Sequence, residues 1–114
     1  MPVTFQETEL PGVVLCIPDV LRDARGFFME SYHAANYAAG GVRAVFVQDN
    51  RSCSARHVLR GLHFQLHKPQ AKLVSCIRGE ILDVAVDIRR GSPTFGVWSA
   101  VVLSDANHHQ LFIP

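Results

Sequence analysis

The sequence has little charge of either sign. Charged residues make up 18% of its 114 residues, and 11 Lys and Arg against 10 Asp and Glu leave a net charge of +1. No broad field gathers DNA, RNA or an anionic membrane, so nucleic-acid binding is not expected. Long hydrophobic runs are absent too. Val13 to Ile17, about five residues, is among the longest, far short of the roughly 20 that a membrane-spanning helix needs. The start, Met-Pro-Val-Thr-Phe-Gln-Glu-Thr-Glu, has no basic stretch followed by an apolar one, so no export signal is read there and a cytoplasmic location is expected. Cysteine is sparse. Cys16, Cys53 and Cys76 form no CxxC, which excludes a disulfide framework and a structural zinc knot. Cys16 and Cys76 lie in apolar runs and read as small core residues.

What is present is apolar and mostly β in pattern. Hydrophobic residues make up 48% of the chain, enough for the core of one domain spanning residues 1–114. Gly12 to Ile17, closed by Pro18, reads as a buried strand. Asp23-Ala-Arg-Gly26 is turn chemistry leading into Phe27 and Phe28. His33 to Ala39 is the one helix expected, stopped by Gly40-Gly41. Further strands are expected at Ala44 to Val47, Val58 to Gln65, Val97 to Leu103 and from Gln110. Lys72 to Ile77 and Ile81 to Ile88, around Arg78-Gly79-Glu80, read as a hairpin. In its second half the alternation makes Leu82, Val84, Val86 and Ile88 the dry face and Ile81, Asp83, Ala85 and Asp87 the mixed one. Many short strands with one short helix imply an antiparallel sandwich or barrel. The final Phe112-Ile113-Pro114 reads as an apolar strand without a closing partner, which predicts an open edge and a partial domain.

Polar residues crowd between Gln48 and Lys72. His63 reads either as a half-buried histidine bonded to a carbonyl or as a general base. Strict alternation sets Arg60 and His63 on opposite faces, whereas a bulge at Gly61 unites them; the pattern allows both. Lys72 is either a strand-end lysine reaching water or a cation beside an apolar wall, suited to an oxyanion. Asp83 and Asp87 read as partners of arginines such as Arg89, or Asp83 as a group orienting a base. His63, His67, His108 and His109 do not supply two histidines one residue apart with a nearby carboxylate, so no bound metal and no cofactor is expected.

Several motifs together resemble one family. They are Asp23-x-Arg25-Gly26-x-Phe28-x-Glu30, Phe46-Val47-Gln48-Asp49-Asn50-x-Ser52-x-Ser54 and Leu59-Arg60-Gly61-Leu62-His63-Phe64-Gln65. Gln70-Ala71-Lys72-Leu73-Val74, Gly79-Glu80-x-x-Asp83-Val84-x-Val86-Asp87-x-Arg89 and Ser92-Pro93-Thr94-Phe95-Gly96 continue the series. In this order they are similar to the dTDP-4-dehydrorhamnose 3,5-epimerases, metal-independent cupin-like jelly rolls. The resemblance implies an all-β fold with one short N-terminal helix, ending before the family's last strands. It implies inversion at C3 and C5 of a dTDP-linked 4-keto-6-deoxy sugar. His63 matches the family's base and Lys72 the residue that stabilises the enolate oxygen. Arg25 and Glu30 match contacts near the nucleotide, and Phe28 a surface for the thymine. Gln48, Asp49 and Asn50 match polar contacts to substrate, and Arg60 an arginine on the diphosphate. A homodimer is implied. The family's tyrosine acid, and the carboxylate that orients its base, lie beyond the motif at Ile113-Pro114; Tyr32 and Tyr37 match neither. Other readings are an epimerase acting at one carbon, a ketoisomerase, a non-catalytic cupin holding a sugar nucleotide, and a metal-dependent cupin.

Overall fold

The computed structural model describes residues 2–114. The described elements run β1 (Val3–Glu7), β2 (Val14–Pro18), β3 (Val20–Asp23), β4 (Gly26–Met29), α1 (Ala34–Ala39), β5 (Lys72–Ser75), β6 (Glu80–Val86), β7 (Trp98–Ser104) and β8 (Gln110–Ile113). All described strand pairs are antiparallel. The all-β expectation holds. The central sheet has the order β1-β2-β8-β5, and two hairpins, β3-β4 and β6-β7, accompany it.

Alternation in the central sheet divides the core in two. Val14 and Cys16 of β2 and Phe112 of β8 point to one side, where they meet Tyr37 of α1 and Val42. Leu15 and Leu111 point to the other, where they meet Leu10, Val13, Ala85 of β6 and Leu103 of β7. The sheet is therefore covered on both faces, and β8 is correspondingly apolar in successive residues. Buried Cys16 agrees with its reading as core, and burial pushes its thiol up to about 11.

The helix has the expected extent and ends. The His33 imidazole caps it by accepting from the Asn36 N–H at 3.2 Å, and Gly40 closes it. Gly40 is required by space: a Cβ there would collide with the Phe5 ring. Tyr37 packs edge-on against Phe5, and its hydroxyl donates to Gln110 Oε1 at 2.6 Å. Gln110 in turn donates to the Ser31 carbonyl at 2.7 Å. The helix is thus pinned to the start of β8.

Four expectations are corrected. The strands expected at 72–77 and 81–88 exist but do not form a hairpin: β5 pairs with β8, and β6 pairs with β7. The dry face of β6 is also inverted. Ala85 and Asp87 are buried, while Leu82, and Trp98 of β7 opposite Val86, are 65% and 64% exposed. Asp87 is tolerated inside because Arg89, Ser92 and Thr94 saturate its carboxylate, with bonds of 2.6 to 3.0 Å. That also realises the expected Asp87–Arg89 pair. Third, β8 is not an unpartnered edge but lies between β2 and β5. Fourth, 44–47 and 58–65 form no ladder. Val47 and Leu59, 91% and 90% exposed, lie on a long irregular arm from 44 to 71. Strands β1, β3 and β4 were not among the expected elements.

Candidate active site

Lys72 opens β5, an edge strand of the central sheet, opposite Ile113 of β8. Leu73 packs into the helix-side core and Val74 into the core beneath β6-β7. Lys72 shares the face of Val74, so it leaves the sheet on the side of the β6-β7 hairpin. On that hairpin Asp83 shares the inward face of Ala85. The two charges therefore stand on facing surfaces. Burial raises the pKa of Asp83, and the Lys72 charge pulls it back.

The other expected residues lie on the arm and on the β3-β4 hairpin. Gln48 donates to Asn50 Oδ1 at 3.0 Å, with exposed Asp49 between them. Arg60 donates from Nε to Ser54 Oγ at 2.8 Å. Three residues on, His63 is exposed. Gly61 between them has φ +112°, a conformation that a side chain rarely adopts, so glycine sets the path of the chain into His63. This irregular path replaces both the strict strand and the bulged strand.

On the hairpin, Arg25 is turned back on Asp23 in an exposed ion pair of 2.6 Å, which lowers the Asp23 pKa. Phe28 is exposed. Glu30 accepts from Asn36 Nδ2 at 3.3 Å. Phe27 packs against His108 with ring centroids 4.7 Å apart and planes tilted by 48°, a contact that sequence pattern gave no sign of.

The structure thus brings together Gln48 with Asn50, and Lys72 with the field of Asp83. Among the described residues no hydrogen bond or ion pair links His63 to Lys72, and Arg25, Glu30 and Arg60 each engage a local partner. One cavity of about 410 Å³, lined by Tyr32, Val42, Arg43 and Phe46, and another of about 190 Å³, beside Phe27, Cys76 and His109, contain neither His63 nor Lys72. Tyr37 is unsuited to proton donation. Its buried hydroxyl is committed to Gln110 and the Ser31 carbonyl, and burial raises its pKa. No group of three or more His, Cys, Asp or Glu side chains among the described residues is arranged to hold a metal ion. No described helix is long and apolar enough to cross a membrane. Asp83, read from sequence as a partner of an arginine or a group orienting a base, instead faces Lys72; its signal is an acid set between Leu82 and Val84 in a strand.

The family model for dTDP-4-dehydrorhamnose 3,5-epimerase matches residues 7–114. The chain belongs to this family. It is 54% identical over 110 residues to the dTDP-4-dehydrorhamnose 3,5-epimerase of Methanothermobacter thermautotrophicus, covering 96% of this chain and 60% of that protein. The Legionella pneumophila epimerase, in complex with dTDP-4-keto-L-rhamnose, superposes with a TM-score of 0.94 at 47% identity, over 99% of this chain and 61% of that one. The Bacillus anthracis epimerase with TDP and PPi bound superposes with a TM-score of 0.94 at 43% identity, over 99% and 66%. The chain therefore spans about 60% of the length of the curated relatives it matches. As an epimerase-family chain it shares their cupin-like fold over the matched region.

Proposed function

We propose that this chain carries the base and the enolate-stabilising cation of an epimerase. The reaction inverts C3 and C5 of dTDP-4-dehydro-6-deoxy-D-glucose and yields dTDP-4-dehydro-L-rhamnose. The observation that carries the reading is the match of residues 7–114 to the epimerase family, with the motifs around His63 and Lys72 inside it. The likeness to a Legionella enzyme in complex with dTDP-4-keto-L-rhamnose supports the substrate class.

The chemistry fits the residue types. A proton alpha to the C4 ketone is acidic only because its loss places negative charge on O4. In this reading the neutral His63 imidazole takes the proton from C3 or C5, and the Lys72 ammonium meets the charge growing on O4. Return of a proton from the opposite face completes the inversion. No residue described here is assigned to that second step. Arg25, Phe28 and Glu30 serve the nucleotide end, Gln48, Asp49 and Asn50 make polar contacts to the substrate, and Arg60 meets the diphosphate. Arg25 leaves its present partner Asp23 for the nucleotide, and Arg60 exchanges Ser54 for phosphate oxygens. Residues 1–114 belong to a single jelly-roll domain as a part of it, two copies pair as a homodimer, and the protein works in the cytoplasm.

The test, on a complete version of the protein, is exchange of substrate C3 and C5 protons with deuterium, followed by proton NMR. His63→Asn should lower the exchange rate about 10²–10⁴-fold, the usual worth of a positioned base. Calorimetry should show thymidine diphosphate still binding. Unchanged exchange in this variant refutes the role of His63. In the complete protein, binding without any exchange favours a non-catalytic sugar-nucleotide module.

A further inference from the structure

Asp83 stands in the middle of β6, opposite Val101 of β7. Its Oδ2 is closed off from solvent and has no hydrogen-bond partner among the described residues. A buried carboxylate oxygen without a donor is unfavourable, so such a group calls for a cation or a proton. The groups around it on this face give neither: Ala85, Val101 and Leu103 are apolar. Asp87, the other acid of the face, is saturated by Arg89, Ser92 and Thr94. Lys72, on the facing side of β5, is the cation whose charge acts on Asp83. No closed ion pair joins them, and the Lys72 side chain is exposed.

We propose that Asp83 is the counter-ion of Lys72, a positioning residue that holds the ammonium at the rim of the inner face, where it meets the substrate oxygen. The inference rests on the function proposed above for the role of Lys72. Asp83 touches no reacting atom; it restricts a flexible four-carbon side chain to one direction. The arrangement explains why an acid occupies the inward face of β6 without a hydrogen-bond donor from its own hairpin.

The chain has two lysines, Lys68 and Lys72, so ¹³C labelling at lysine Cε gives one signal for the site and one internal control. Relaxation should show the Lys72 methylene more restricted than that of Lys68. Asp83→Asn should free Lys72 and leave Lys68 unchanged, and Lys72→Met should raise the titration point of the Asp83 carboxyl. In turnover, Asp83→Asn should lower kcat about 10²-fold with KM within about twofold, because the cation is misplaced rather than removed. Asp83→Glu should recover part of that loss. If Lys72 motion and Asp83 titration each ignore the other residue's substitution, the pairing is wrong. If the pairing holds and kcat is unchanged in Asp83→Asn, the positioning role is wrong. A complete wild-type protein that shows no deuterium exchange overturns the catalytic reading, and the two NMR measurements then decide the pairing alone.

Discussion

Tyr37→Phe tests whether the helix-to-sheet pin stabilises the fold beneath Lys72. The substitution keeps the ring against Phe5 and deletes one oxygen. Gln110, 4% exposed, then loses the 2.6 Å donor to its Oε1. A buried acceptor left without a partner costs about 1–3 kcal/mol. For a domain near 100 residues, each kcal/mol shifts Tm by about 4–8 °C, so the melting point should fall by about 4 °C or more. Gln110→Leu should cost less on the tyrosine side, because the Tyr37 hydroxyl keeps the Ser31 carbonyl at 3.1 Å. Urea unfolding of both single variants and the double variant gives the coupling, expected at about 0.5–3 kcal/mol. The slope should stay constant while the midpoint moves. A Tyr37→Phe effect within about 0.5 kcal/mol, the usual scatter of a surface substitution, would refute the pin.

Other outcomes follow from the same geometry. Asp87 has a folded-state pKa below that of the unfolded chain, because Arg89, Ser92 and Thr94 bond its carboxylate. Its contribution is therefore complete above the unfolded value of about 3.9 and lost as pH falls towards the folded one. Urea midpoints measured down the acid range should fall more steeply for wild type than for Asp87→Asn, and parallel curves would contradict this. Gly40→Ala should cost about 1–3 kcal/mol by forcing the Phe5 ring aside, read as a lower urea midpoint; φ of −87° leaves the backbone unstrained, so a neutral result would mean that the ring yields freely. With a thiol reagent at pH 8, exposed Cys53 should react first and Cys16, buried with its thiol raised to about 11, last; rapid labelling of Cys16 in the native state would contradict the packing.

Local signals reached as far as local physics does. The helix was legible because Ala-rich sequence and paired glycines act within a few residues. The turn at Asp23 to Gly26 was legible for the same reason, although the strands it joins were not, since exposed Leu21, Phe27 and Phe28 give no alternation. Strand pairing was not legible. Arg78-Gly79-Glu80 looks like a hairpin turn, but β5 finds its partner in β8, and nothing near Gly79 encodes that. The inverted face of β6 has a chemical cause. Alternation gives the two faces but not which is inward, and Leu and Val outweigh Asp unless the partners of Asp87 are seen. The site residues were legible as motifs; the placement of Asp83 opposite Lys72 needed the sheets to face each other.

Placing β8 between β2 and β5 has a consequence for how the protein is made. β1 and β2 emerge early, yet β2 waits for roughly ninety further residues before its other side is paired, on the order of 5–20 s at ordinary rates of synthesis. During that interval Val14 and Cys16 belong to a strand with one open edge, free to pair with any extended neighbour. Yield at the ribosome should therefore respond to translation speed and to chaperones that shield nascent strands, more than the finished molecule's stability would suggest.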